Sequence, residues 1–89
     1  MSKVSDEDIK NHILFKLHWK KKWGASHTAL ENLKRGVPKH LGGRYLDMGK
    51  KLIKEGYLLS KPTHYGLQVS LNPERREEII KISRKFFKY

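Results

Sequence analysis

The sequence predicts an α+β domain built from three helices, a two-stranded hairpin and a C-terminal helix. Three observations carry this expectation. Apolar residues recur at helical spacing in four separate stretches. Leu67, Val69 and Leu71 alternate with Gln68, Ser70 and Asn72, the period of a half-buried strand. Between that strand and a second β-prone run lies turn material, Pro62-Thr63-His64-Tyr65-Gly66.

The first helix has a clear start. Ser5 is placed to cap it, with Asp8 three residues on, and Asp6, Glu7 and Asp8 complement the positive end of the helix dipole. Ile9, Ile13 and Leu17, with Leu14 beside them, form one apolar face. The spacing predicts a helix running through Trp19 to about Lys22 and stopping before Gly24. Ser26 reads as a second N-cap, followed by a short helix with Ala29, Leu30 and Leu33 as its stripe, ending at Arg35 before Gly36. Val37-Pro38 is a turn, and Lys39-His40-Leu41 fits a single helical turn ended or hinged by Gly42-Gly43. The third helix is expected over about 44–55, stopped by Gly56. Tyr45, Met48 and Leu52 line its inner face, and Gly49 on that face suggests close approach of another helix. The hairpin pairs Tyr57–Lys61 with the Leu67–Leu71 run across a five-residue tip. Asn72-Pro73 starts the last helix as N-cap and first residue. Acids (Glu74, Glu77, Glu78) come early in it and bases (Arg84, Lys85, Lys88) late, while Ile79, Ile82 and Phe86 form its apolar stripe.

Composition narrows the function. The 89 residues carry a formal net charge of +11 and no cysteine. A chain of this length suits one domain with a modest core and no deep substrate cavity. The absence of cysteine removes disulfides and thiolate zinc sites and suits a cytoplasmic protein. No apolar run is long enough for a membrane span, and the polar, acidic Met1–Asp8 segment does not resemble a signal peptide. Between Lys16 and Arg44 stand eight basic residues and one acid, Glu31. Such a cluster converts into affinity for a polyphosphate, because each neutralised phosphate releases counterions. Solubility or heat adaptation is the bland alternative for the charge.

The pattern Tyr45-x-x-Met48-x-x-x-Leu52-Ile53-x-x-Gly56-Tyr57-Leu58 resembles the third helix and first wing strand of the winged-helix (winged helix-turn-helix) family, and the element order over about 5–71 is similar to that family's. The fragments Lys34–His40 and Tyr65–Pro73 resemble those of small, uncharacterised archaeal winged-helix proteins. The resemblance implies a third helix lying in a DNA major groove and a hairpin wing touching the backbone or minor groove. By position it implies groove-facing roles for Arg44, Asp47, Lys50, Lys51 and Lys54, the residues opposite the Tyr45/Met48/Leu52 face. Arg44 suits bidentate reading of guanine, and the lysines suit phosphate contacts. The segment from Gly36 to Gly56 is a few residues longer than the family's usual turn and third helix.

Further candidates come from the residues themselves. Lys20, Lys21 and Lys22 either contact phosphate or complement the dipole at their helix end. Lys34, Arg35, Lys39 and His40 form a basic turn. At the hairpin tip, Lys61 suits phosphate, and Tyr65 either stacks on a base or sugar or packs back on the sheet. Trp19 and Trp23, four apart, either stack on bases or cover the core. Asp47 reads as an ion-pair partner of Lys50 or Lys51. The five histidines lack metal-site spacing, no glycine-rich phosphate loop is present, and Ser and Thr lack a His/Asp partner set. The expectation is therefore a non-enzymatic protein without cofactor or metal, binding nucleic acid, duplex DNA first. Structured RNA and an acidic protein partner are the alternatives. The Ile79/Ile82/Phe86 stripe serves either as a homodimer seam or as packing against the first helix.

Overall fold

A computed structural model describes residues 4–87, and the side chains up to residue 85. Three α-helices pack with a three-stranded antiparallel sheet. The order is α1 (Asp6–Trp19), β1 (Thr28–Ala29), a 3₁₀ helix (Leu30–Lys34), a second 3₁₀ turn (Lys39–Leu41), α2 (Gly42–Lys54), β2 (Leu58–Thr63), β3 (Gly66–Leu71), a third 3₁₀ turn (Pro73–Arg75) and α3 (Arg76–Phe87).

The start of α1 is the expected capping box. The Asp8 N–H donates to Ser5 Oγ at 3.0 Å, and the Ser5 N–H donates to the Asp8 carboxylate at 3.1 Å. Its end comes earlier than expected. Lys21 adopts a left-handed φ of 57°, its N–H donates to the His18 carbonyl, and the Lys22 N–H reaches back to the Leu17 carbonyl. This paired C-terminal motif usually carries glycine at the left-handed position; here a lysine takes it, and Gly24 plays no part in the stop. The same motif closes α2 with the expected glycine, Gly56, at φ 87°.

The second helix differs most. Ser26 caps nothing; the chain instead forms β1, which pairs with β3 through Thr28↔Val69 and Ala29↔Gln68. The expected α-helix is a five-residue 3₁₀ helix. Leu30 and Leu33 are three apart, the repeat of a 3₁₀ turn, so both still face inward. The sheet thus has three strands in the order β1-β3-β2, not two. Gly42 and Gly43 neither stop nor hinge the chain, since both belong to α2.

One core joins the layers. Ile9, Ile13, Leu14 and Leu17 of α1 meet Tyr45, Met48 and Leu52 of α2, Leu58, Val69 and Leu71 of the sheet, and Ile79 of α3. Gly49 permits the close approach expected of it, although its neighbour is the 3₁₀ helix. A Cβ there would lie 2.6 Å from Leu33 Cδ1 and 2.8 Å from Leu30 Cδ1. Asn72 ties α3 to the hairpin: its Oδ1 accepts from the Glu74 N–H and its Nδ2 donates to the Gly56 carbonyl. Tyr57 lies between Lys10 and the Arg75 guanidinium, and its hydroxyl donates to Glu78. In α3, Ile79 is fully buried and Ile82 packs against the same core, so these two residues of the stripe serve the chain's own interior. The Phe86 side chain, Lys88 and the Met1–Lys3 part of the N-terminal segment lie outside the described residues.

Candidate nucleic-acid interface

Helical geometry divides α2 into two faces. Tyr45, Met48, Gly49 and Leu52 are buried, which leaves Arg44, Asp47, Lys50, Lys51 and Lys54 exposed. Near the start of this face, Arg44 is engaged. Its guanidinium donates to the Asp6 carboxylate of α1 at 2.9 Å. Arg44, acting chiefly through that hydrogen bond, with Lys51 adding a smaller attraction, holds the Asp6 carboxyl below the usual carboxylate range. Asp47 lies in the same shallow cleft as Asp6, Arg44 and Lys51. Among the described residues Asp47 makes no ion pair within 4.0 Å, so the expected bridge to Lys50 or Lys51 is not formed.

The basic turn precedes α2 directly. Gly36 turns the chain at φ 81°, and Pro38 leads into the 3₁₀ turn that runs on into α2. Lys34, Arg35, Lys39 and His40 are all exposed. Lys34 lies 3.2 Å from the Glu31 carboxylate, and its stem packs beside Gly42. One cleft is lined by Lys34, Arg35 and Lys39 together with Glu31, Gly42 and Gly43. The first turn of α2 carries no acidic residue and no side-chain cap, so its N–H groups add their positive end of the dipole to these cations. Lys16 of α1 fixes the turn from behind: its ammonium donates to the Arg35 carbonyl at 2.6 Å. Partial burial, then the charges of Lys20 and Arg35, lower the Lys16 pKa. Lys16, Lys20 and Arg35 therefore belong to one positive field.

The other lysines at the end of α1 divide. Lys20 and Lys21 are exposed, whereas Lys22 is half-buried because its backbone pairs with β3. The Leu71 N–H donates to the Lys22 carbonyl at 2.7 Å, and Trp23 bridges Leu71 in parallel. The two tryptophans also divide. Trp19 ends α1, is 69% exposed, and stacks beside Phe15 with centroids 6.2 Å apart. Trp23 lies beyond the helix and packs against the core. His18 meets the Trp23 ring edge-on, and the Arg76 guanidinium stands 5.3 Å from its centroid. Nothing local in the sequence links Arg76 to Trp23, so this contact follows only from packing.

The hairpin tip is shorter than expected. Pairing continues to Thr63↔Gly66, leaving His64 and Tyr65 as the loop. Pro62 sits within β2, which is tolerated on an edge strand. Lys61 is exposed, and Tyr65 is 96% exposed rather than packed back on the sheet. Among the described residues, no group of three or more His, Asp or Glu side chains is placed to hold a metal ion, and no helix is long and apolar enough to cross a membrane. No family model, no curated protein and no solved structure matches the chain.

Proposed function

We propose that this chain is a winged-helix protein that binds nucleic acid, duplex DNA first, without catalysing a reaction. The observation that carries the reading is the set of exposed cations on the basic turn and on the outer face of α2, interrupted near Arg44 by Asp6 and Asp47. Lys34, Arg35 and Lys39 surround the uncapped start of the helix, and Lys50, Lys51 and Lys54 continue along its outer face. Cations converging on the positive end of a helix dipole suit phosphate. The α2-to-hairpin junction at Gly56 and the exposed tip support a wing. The engagement of Arg44 by Asp6 favours docking led by phosphate contacts, with base reading secondary.

The test is a fluorescence-anisotropy titration of duplex DNA, single-stranded DNA and an RNA hairpin at several salt concentrations. The reading expects tightest binding to duplex DNA and a log–log salt slope reflecting several phosphates, at about 0.9 per phosphate. Charge reversal by K34E, R35E and K39E together should weaken binding and flatten that slope. Preference for the hairpin would transfer the function to structured RNA. Weak binding to all three with a shallow slope would point to an acidic protein partner.

A further inference from the structure

We propose that Tyr65 is a stacking residue for an unpaired base, so that the preferred ligand is a duplex carrying a single-stranded extension rather than an uninterrupted duplex. The inference rests on the nucleic-acid reading above and narrows its substrate class.

The side chain is conspicuous in its setting. Tyr65 is 96% exposed, the most exposed large hydrophobic side chain among the described residues, ahead of Trp19 at 69%. Among the described residues it makes no ring contact and no side-chain hydrogen bond. A buried aromatic removes about 150–250 Å² from water, and this ring contributes almost none of that to the fold. The turn does not require it either, because short polar residues and glycine supply turn conformations better.

The tip is nevertheless firmly built. Thr63 Oγ1 donates to the Gly66 carbonyl at 2.7 Å and accepts from the Tyr65 N–H at 3.1 Å. Gly66 adopts φ 113°, a conformation that a side chain would oppose. Pro62 restricts the strand leading in. The Tyr65 backbone is thus held while its ring projects into solvent. Preorganisation of this kind lowers the ordering cost of a contact.

The surroundings select the partner. Lys61, Thr63 and His64 are polar and exposed, so no apolar rim encloses the ring. An aromatic anchor for a protein partner works when near-neutral contacts around it exclude water. Stacking on a base needs only one flat face and tolerates any base. In an uninterrupted duplex that face is covered by the neighbouring pair, and exposing it costs unstacking; an unpaired base offers it at least cost. Lys61, beside the tip, supplies a cation for the adjoining phosphate.

The experiment compares the full chain with Y65A, Y65F and Y65W on a blunt duplex and on the same duplex with a single-stranded overhang, by anisotropy at fixed salt. A 2-aminopurine at the first unpaired position reports stacking directly. The wild-type chain should prefer the overhang. Y65A should lose about 5- to 150-fold on the overhang and little on the blunt duplex, while Y65F and Y65W retain the preference. Quenching of 2-aminopurine should be lost with Y65A alone. Equal loss on both duplexes, or loss on neither, overturns the proposal and leaves the nucleic-acid reading standing. Failure of the wild-type chain to bind either probe overturns both.

Discussion

The Arg44 guanidinium donates to the Asp6 carboxylate at 2.9 Å, joining the first turn of α1 to the first turn of α2. Both side chains are substantially exposed, so the pair adds little to stability. Under the proposed function its consequence lies with the ligand, because the carboxylate occupies the position on Arg44 that a phosphate oxygen would take. D6N should free the guanidinium, tighten nucleic-acid binding, and steepen the salt slope by up to about 0.9. E7Q removes the same charge one residue away without releasing Arg44 and should do less. In an R44Q background, D6N should behave like E7Q. Anisotropy titrations of the four variants across salt concentration check this cycle.

Gly49 sets the distance between α2 and the 3₁₀ helix. Adding a methyl group gains up to about 1 kcal/mol in helix propensity, but it meets the ends of Leu30 and Leu33 inside a packed core. Overpacking of this kind costs about 1–3 kcal/mol. G49A should therefore be less stable than the wild type, and G49V less stable again. Thermal denaturation followed by circular dichroism gives the order.

Asn72 serves two elements with one amide. N72A removes the cap on the turn before α3 and leaves the Gly56 carbonyl without its side-chain donor. A cap is worth about 1 kcal/mol and a hydrogen bond about the same. The expected loss is roughly 2 kcal/mol in urea denaturation. N72D, which keeps the cap acceptor and loses the donor, should fall between the two.

His12 and Tyr45 predict a pH dependence. His12 Nδ1 and the Tyr45 hydroxyl are 2.5 Å apart, with the rings edge to face. Burial, then the Lys16 charge, lowers the His12 pKa below its ordinary value near 6.5. The folded chain thus favours the neutral ring. Its contribution to stability is present above pH 6.5 and is lost as the pH falls through the lowered folded value. Melting temperature should decline on acidification below 6.5, and H12Q should flatten that part of the profile.

The parts of this fold governed by adjacent residues were legible in the sequence. Ser5 and Asp8 form the cap their spacing implies, Gly56 ends α2, and Asn72-Pro73 opens the turn into α3. The second helix misled because Ala29, Leu30 and Leu33 satisfy a threefold repeat as readily as an α-helical one. A strand of two residues, Thr28–Ala29, has no periodicity to detect. The end of α1 was hidden because a lysine holds the left-handed position where glycine gives the usual signal. In the candidate interface, local spacing identified the outward residues of α2. The Asp6–Arg44 and Arg76–Trp23 partnerships join distant segments and follow only from packing.

The run from Lys39 to Lys54 passes from 3₁₀ turn into α-helix without a break, despite its two glycines. It behaves as a ruler rather than a hand. At about 1.5 Å per residue its end lysines stand roughly 20–25 Å apart, against a major groove about 12 Å wide. Under the proposed function, a duplex meeting this rod is contacted at phosphates well separated from one another, through a spacing that the unbroken helix fixes in advance.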